Sequence, residues 1–159
     1  MSAADAVWPT VAELAAQEQE LRWRSFDEDD AWRLGSALVA RARGRELPVA
    51  IDITRGDHQL FHAALPGSSP DNDAWLRRKA RVVARFHHSS LHVGQICRDA
   101  GRTLEEMFLV PESEFVAHGG AFPITVAGVG VIGSVAVSGL PQLEDHALVV
   151  AVLRGQLPG

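Results

Sequence analysis

The sequence predicts an α+β fold, a three-layer α/β/α sandwich around an antiparallel sheet of about five strands. Two pairs of short β-rich runs are each separated by a glycine-containing turn, which is typical of antiparallel hairpins. Helical segments precede, separate and follow these hairpins, so they can cover both faces of the sheet. This order differs from the regular strand–helix alternation of a doubly wound parallel sheet.

Chain length and composition indicate one folded unit. The 159 residues amount to 17.2 kDa, of which 47% are hydrophobic and 22% charged, values close to those of ordinary globular proteins. A chain of this length closes one core rather than two. We therefore expect a single domain over residues 10–159, preceded by a flexible N-terminal segment over residues 1–9.

Charge and cysteine content exclude several kinds of partner. Fifteen Lys and Arg residues against 20 Asp and Glu give a net charge of −5, so no basic surface is predicted for nucleic acid or an anionic membrane. Cys97 is a single cysteine, and the first ten residues do not have the pattern of a signal peptide. We expect a cytoplasmic protein with no nucleic-acid or membrane partner.

The first quarter of the chain contains two helices and a short strand. Thr10 with Glu13 forms a capping pattern at the start of a helical periodicity over residues 10–19. Alternation with period two predicts a strand over 21–24. A second capping pattern, Ser25 with Glu28, begins a helix that Gly44 ends. The side of this helix predicted to face the core carries Ala31, Trp32, Leu34, Gly35, Leu38, Val39 and Ala42.

The remaining elements follow from alternation, caps and breakers. The sequence predicts a hairpin over 48–54 and 58–64, helices over 73–86 and 89–102, an irregular stretch over 111–120, a second hairpin over 122–127 and 131–138, and a closing helix over 141–154.

Residues 128–133 have the GxGxxG spacing of a dinucleotide-binding fingerprint. That function requires the third glycine to open a helix whose N-terminus faces pyrophosphate. The residues after Gly133 are instead a β-branched run. The glycines are therefore expected to form a tight turn and a close packing point, not a nucleotide site.

Lys79 is the one lysine of the chain, and helical spacing places it in the middle of an apolar face. A buried ammonium is costly unless it meets a carboxylate or a ligand anion. Asp145 is the best internal partner, because it is also flanked by apolar residues of its own helix. The alternatives are snorkelling of Lys79 to water, and stabilisation of the Asp145 charge by the helix dipole, because Asp145 lies in the first turn of its helix.

Histidines are numerous, and His88 and His92 have the i, i+4 spacing that can bind a metal ion. No HExxH motif or paired-cysteine pattern completes such a site. We therefore expect ordinary surface or helix-end histidines, and no metal site.

Two further segments have the chemistry of a ligand site. His118 is followed by Gly119 and Gly120, which allow the backbone to approach a ligand beside a titratable imidazole. Ser138 and Gly139 precede the closing helix, whose free N–H groups can donate hydrogen bonds to an anion.

The chain contains several characteristic stretches: Ser25-Phe26-Asp27 with Asp29-Asp30-Ala31-Trp32, Phe61 to Gly67, Pro70-Asp71-Asn72, Arg77-Arg78-Lys79, Arg85-Phe86 with His88-Ser89-Ser90, His118 to Ile124, and Val137 to Pro141 with Asp145-His146. Together they resemble the haem-degrading-domain family over nearly the whole chain. The closest branch is the one called uncharacterised protein family 0303. More distant relatives are HbpS-like and GlcG-like proteins and the C-terminal domain of one class of corrinoid adenosyltransferase.

The resemblance implies a profilin-like sandwich, a homo-oligomer and, as in some relatives, haem binding or haem degradation. The expected function is binding of a small ligand, haem or another tetrapyrrole, with Lys79 neutralising a carboxylate and His118 or His146 as an axial or polar ligand. The expected ligand-binding residues are Lys79, His118, Gly119, Gly120, Phe122, Ser138, Gly139, Asp145 and His146. The alternatives are a non-catalytic oligomeric adaptor and an enzyme acting on a small organic acid.

Overall fold

Four antiparallel strands form the central sheet of the computed structural model, which describes residues 6–157. Their bounds are β1 (Ala50–Arg55), β2 (His58–Ala64), β3 (Ala121–Val126) and β4 (Gly130–Ser138). The spatial order is β2-β1-β4-β3, so the two predicted hairpins lie side by side and β1 pairs with β4. The register places Ile51 opposite Val137, and Phe122 opposite Val135.

Six helices surround this sheet in the described residues. They are α1 (Val11–Glu20), α2 (Glu28–Gly44), α3 (Pro70–Phe86), α4 (Ser90–Ala100), α5 (Leu104–Phe108) and α6 (Gln142–Gln156).

Alternating residues of the strands contact helices on opposite faces. On one face, the main core joins α2 and α6 to branched and aromatic residues such as Ile51, Phe122 and Val137. On the other face, Ala50, Ala121 and Ala136 pack against α3. Small alanines allow a close approach of α3, and the predicted α+β, three-layer arrangement is confirmed.

The sheet has four strands, and the predicted strand over 21–24 is reduced to one bridge. Trp23 pairs in parallel with Val126 at the free edge of β3. Its N–H donates to the Thr125 carbonyl at 2.8 Å, and its carbonyl accepts from the Ala127 N–H at 2.8 Å. The ends of α1 and α2 on either side leave room for only this short fragment of a fifth strand.

Local capping explains where the helices begin. Thr10 caps α1 as predicted, accepting from the Glu13 N–H at 3.1 Å. For α2 the cap is Asp27, reciprocated by Asp30, and not the predicted Ser25. Trp32 is predicted on the core-facing side of α2, but its side chain is 66% exposed, so the prediction is wrong for this residue.

The glycines of the 128–133 segment have the predicted structural role. Gly128 and Gly130 adopt positive φ angles of 78° and 115° in the turn between β3 and β4. A Cβ atom at Gly133 would lie 1.9 Å from the Thr54 carbonyl oxygen, so β4 can approach β1 only with glycine there. Neither feature forms the helix N-terminus that a dinucleotide site requires.

Residues 1–5 of the predicted flexible segment lie outside the described residues. Trp8, within the same segment, has its ring 3.7 Å from the guanidinium of Arg98. Between residues 6 and 157, no helix combines the length and apolar character needed to cross a bilayer.

Candidate functional site

A buried ion pair lies in the centre of the predicted site. Lys79, on α3, donates from Nζ to Oδ2 of Asp145, on α6, at 3.1 Å. It also donates to the Val137 carbonyl at 3.1 Å, while Oδ1 of Asp145 accepts from the Leu140 N–H at 3.1 Å. The two charged side chains are 3% and 2% exposed. The predicted pairing of Lys79 with Asp145 is confirmed, and snorkelling is excluded.

Burial is the largest influence on the titration of this pair. It raises the pKa of Asp145 to about 6 and lowers the pKa of Lys79 below its usual range. Their mutual attraction and hydrogen bond act in the opposite direction, but they do not cancel the effect of burial. Asp145 is therefore mostly ionised at pH 7, and it takes up a proton about one pH unit lower.

The two glycines after His118 allow the backbone to lie against the ion pair. A Cβ atom at Gly120 would lie 2.7 Å from Nζ of Lys79 and 2.4 Å from the Val137 carbonyl oxygen, and φ there is 134°. A Cβ atom at Gly119 would lie 2.5 Å from the Gln142 carbonyl oxygen. The Gly119 N–H donates to Oε1 of Gln142 at 3.0 Å, which fixes the loop to the start of α6.

A surface depression of about 220 Å³ opens above the pair. It brings together five of the nine predicted ligand-binding residues: Lys79, His118, Ser138, Gly139 and Asp145. Its other lining residues are Asn72, Trp75, Leu140 and Gln142. The volume is below the ~300–1,000 Å³ of sites for drug-sized ligands, so the depression suits a carboxylate group rather than a macrocycle.

Phe122 and His146 do not line this depression. Phe122 is 1% exposed and belongs to the main core. His146 is 5% exposed, and its Nε2 lies 2.8 Å from Oε1 of Gln17 on α1. Burial lowers the pKa of His146 to about 4, so its imidazole is neutral at pH 7. Its Nδ1 has no hydrogen-bond partner among the described residues.

A larger groove of about 430 Å³ adjoins the depression along the wall formed by Trp75 and His118. It runs between α3, α4, α5 and the 111–118 segment, and three arginines line it: Arg78, Arg98 and Arg102. Glu112 is its single carboxylate, so the groove carries an excess of positive charge. Such a surface attracts carboxylates and phosphates.

Hydrogen bonds and ring contacts position these arginines. Arg78 donates from Nε to the Glu112 carbonyl at 2.9 Å, and its guanidinium lies 5.0 Å from the Trp75 ring centroid. Arg98 donates to Oε1 of Gln95 at 3.2 Å. Arg102 donates to the backbone carbonyl of Glu106 at 2.9 Å. Sequence patterns did not reveal this groove, because its arginines come from separate elements.

His118 separates the groove from the depression. Its ring stacks at a tilt on Trp75, with 5.3 Å between centroids. Burial, and then the positive charges of Lys79, Arg98 and Arg78, lower the pKa of His118 below its usual range. The imidazole is therefore neutral at pH 7 and has a lone pair that can coordinate a metal.

The cysteine and the remaining histidines have different environments. Cys97 lines the groove, but burial raises the pKa of its thiol, so it is not an activated nucleophile. His92 lies in the first turn of α4, as expected of a helix-end histidine, but it is 4% exposed and faces Glu18, so it is not a surface residue. His87 is exposed and lines a separate groove of about 450 Å³ between α3 and the sheet.

The chain is similar to known proteins over most of its length. A family model for haem-degrading HbpS-like proteins matches residues 26–154. A UPF0303 protein of Streptomyces coelicolor is 61% identical over 146 residues, which is 92% of each chain.

Solved structures share the fold as well. The crystal structure of Ybr137w protein superposes with a TM-score of 0.88 at 33% identity, covering 95% of this chain and 90% of that one. A PduOC:heme complex superposes with a TM-score of 0.68 at 19% identity, covering 82% of this chain and 94% of the other. The family match, supported by the curated relative, shows that this chain belongs to the HbpS-like haem-degrading protein family.

Proposed function

We propose that the protein binds haem or a related tetrapyrrole in the arginine-lined groove, with His118 as the axial ligand. The observation that carries this proposal is the position of His118. Its neutral imidazole lies in the wall between the arginine-lined groove and the depression above Lys79. The family membership and the shared fold with a PduOC:heme complex support it.

Charge complementarity favours a ligand with carboxylates. The guanidinium groups of Arg98 and Arg102 can bind propionates through paired N–H donors. Lys79 uses two of its three donors on Val137 and Asp145, which leaves a third for a carboxylate in the depression. The groove, at about 430 Å³, lies within the size range of small-molecule sites.

Imidazole coordination favours a ligand that contains iron. Haem iron is commonly held by a histidine, and a neutral ring is needed to donate the lone pair. His146 is a poorer candidate, because its ring lies between α6 and α1 and one nitrogen is engaged with Gln17. Of the two histidines suggested by the sequence, His118 is therefore the proposed ligand.

A haemin titration followed by absorbance tests this proposal. We expect a saturable Soret shift for the wild type, and at least about tenfold weaker binding for His118→Ala, since 1.4 kcal/mol already corresponds to that factor. The double substitution of Arg98 and Arg102 by Ala is expected to weaken binding without removing the Soret signature of His118 coordination. His87→Ala is the matched control, because His87 lines the other large groove.

Two outcomes would overturn the proposal. One is weak, non-saturating binding shared by all variants. The other is loss of binding in His87→Ala but not in His118→Ala, which would place the ligand in the groove beside the sheet. Degradation is a separate step, which loss of the Soret band in air after addition of a reductant would reveal.

Lys79 and Asp145 already pair with each other inside the protein, and this favours a second function, that of a non-catalytic adaptor. In that case the pair only ties α3 to α6, and the protein has no ligand chemistry. Light scattering on the same preparation measures the expected homo-oligomer as a multiple of 17.2 kDa. An oligomer that does not bind haemin would support the adaptor.

A further inference from the structure

Three potential metal ligands meet between α1 and the start of α4, away from the arginine-lined groove. Nδ1 of His88 lies 2.6 Å from Oε1 of Glu18, and Nδ1 of His92 lies 2.7 Å from Oε2 of the same carboxylate. One ligand atom from each residue falls within 4.8 Å of the others. This three-residue group is called the Glu18 cluster below.

The local fold holds the Glu18 cluster in place. Ser89 caps α4 by accepting from the His92 N–H at 3.1 Å, and its own N–H donates to Oε2 of Glu18 at 3.2 Å. The turn that contains Ser89 places His88 and His92 on one side, with ring centroids 4.1 Å apart. The third ligand group, the Glu18 carboxylate, comes from a segment about 70 positions earlier in the chain and faces both histidine rings.

Burial gives the Glu18 cluster a closed side and an open side. The side chains of Glu18 and His92 are 8% and 5% exposed, whereas that of His88 is 44% exposed. An ion held by all three would keep a coordination position towards solvent on the His88 side. Three protein ligands with one open position are the arrangement of many zinc sites.

We propose that Glu18, His88 and His92 bind a divalent first-row transition metal ion such as Zn²⁺. Two imidazole nitrogens and one carboxylate oxygen match the ligand preference of these ions, whereas Ca²⁺ and Mg²⁺ prefer oxygen ligands. Bonds to zinc measure about 2.0–2.2 Å, so the three atoms need only small shifts to surround an ion. The ring protons then reside on Nε2, and both Nδ1 atoms coordinate.

Without an ion, the same groups form a hydrogen-bonded connection between α1 and α4. Coordination and hydrogen bonding make different demands on Glu18. A neutral amide at position 18 can still accept a hydrogen bond, but it is a much weaker ligand for a divalent cation. Glu18→Gln therefore separates metal binding from structural pairing.

Calorimetric titration of Zn²⁺ into chelator-treated, tag-free protein tests the proposal. We expect one ion per chain, and affinity more than about 100-fold lower in Glu18→Gln and in His88→Ala, since losing even an outer-shell partner costs about 10- to 100-fold. His87→Ala is the matched control: it removes a neighbouring exposed histidine and should leave affinity within about twofold. Circular dichroism confirms that each variant is folded.

Spectroscopy and thermal melting provide a second readout. Co²⁺ in place of Zn²⁺ should give visible absorption of a low-coordinate site in the wild type and in His87→Ala only. Zn²⁺ should raise the Tm of the wild type and not that of Glu18→Gln. Equal zinc affinity in the wild type, Glu18→Gln and His88→Ala, or no binding to the wild type, would overturn the proposal. This test does not depend on haem binding.

Discussion

Lys79 and Asp145, 66 positions apart in the chain, form an ion pair of 3.1 Å that is almost inaccessible to solvent. The pair joins α3 to α6 beside the end of β4, whose Val137 carbonyl accepts a further hydrogen bond from Lys79. It lies directly beneath the depression that also exposes His118. Stability and the geometry of the candidate site therefore depend on the same two residues.

Replacing one partner of this pair should lower the free energy of unfolding more than replacing both partners. Lys79→Met leaves the Asp145 carboxylate buried without a counter-ion, and we expect a loss of about 3–5 kcal/mol in the free energy of unfolding. Lys79→Met combined with Asp145→Asn leaves no buried charge, so part of the loss should be recovered. Guanidinium denaturation of both single variants and the double variant should give a coupling energy of about 1–3 kcal/mol.

A surface ion pair provides the matched control for that cycle. Arg154 and Glu20 are 3.1 Å apart with side chains 51% and 52% exposed. Their coupling should be much smaller than that of the buried pair, because solvent screens the exposed charges. Strictly additive effects at positions 79 and 145 would contradict the structural role given to the buried pair.

Asp145 should titrate in the folded protein near pH 6. Its pKa is raised above the usual 3.8 of an aspartate, so between about pH 3.8 and about pH 6 the native state binds more protons than the unfolded chain. The contribution of Asp145 to stability therefore falls as pH rises through this window. A carboxyl-carbon NMR titration should show the midpoint directly, and Asp145→Asn should remove this dependence. A midpoint near 4 would contradict the expectation.

His146 should have the opposite pH dependence. Its folded pKa of about 4 lies below the usual 6.5, so the unfolded chain binds more protons between about pH 4 and pH 6.5. Stability rises with pH across this window, by an amount on the order of 3 kcal/mol if the full shift is expressed. His146→Gln should flatten the dependence measured by denaturation at several pH values. An unchanged slope in that variant would show that His146 takes up its proton in the native state.

Gly120→Ala should destabilise the protein and displace Lys79. The backbone φ of 134° is strained for alanine, which costs about 1–3 kcal/mol, and the new methyl group would press on Nζ of Lys79. Gly155→Ala is the control, because Gly155 lies in α6 and a Cβ atom added there would meet no other atom within 4 Å. That change should stabilise by about 0.5–1 kcal/mol. Thermal melts compare the two, and equal effects would argue against tight packing at Gly120.

Most of the fold could be predicted because its signals are local. Period-two alternation identified both hairpins, and caps or proline identified the helix starts within a few residues. The five-residue helix α5 was not predicted, although Thr103 followed by Glu106 is a capping pattern that could have indicated it. The strand expected at 21–24 is only one bridge, because its length depends on pairing with the edge of β3, which local sequence does not encode.

The candidate site was predictable only where one element carried the signal. Lys79 and Asp145 each stood out on the apolar side of a helix, so a pairing could be inferred. The arginine-lined groove draws on several separate elements, and Glu18 lies far from His88 along the chain. Such sets become visible only when tertiary packing brings them together.

Because α3 and α6 cover opposite faces of the sheet, the Lys79–Asp145 contact is a direct link between the two outer layers. Layers joined only through a sheet can open separately, and their amides then exchange hydrogen with different opening energies. Movement of either layer breaks the ion pair and leaves its charges unpaired. The two layers are therefore expected to open together. Amide exchange should therefore report one cooperative unit across α3 and α6, which would separate into two when the contact is removed.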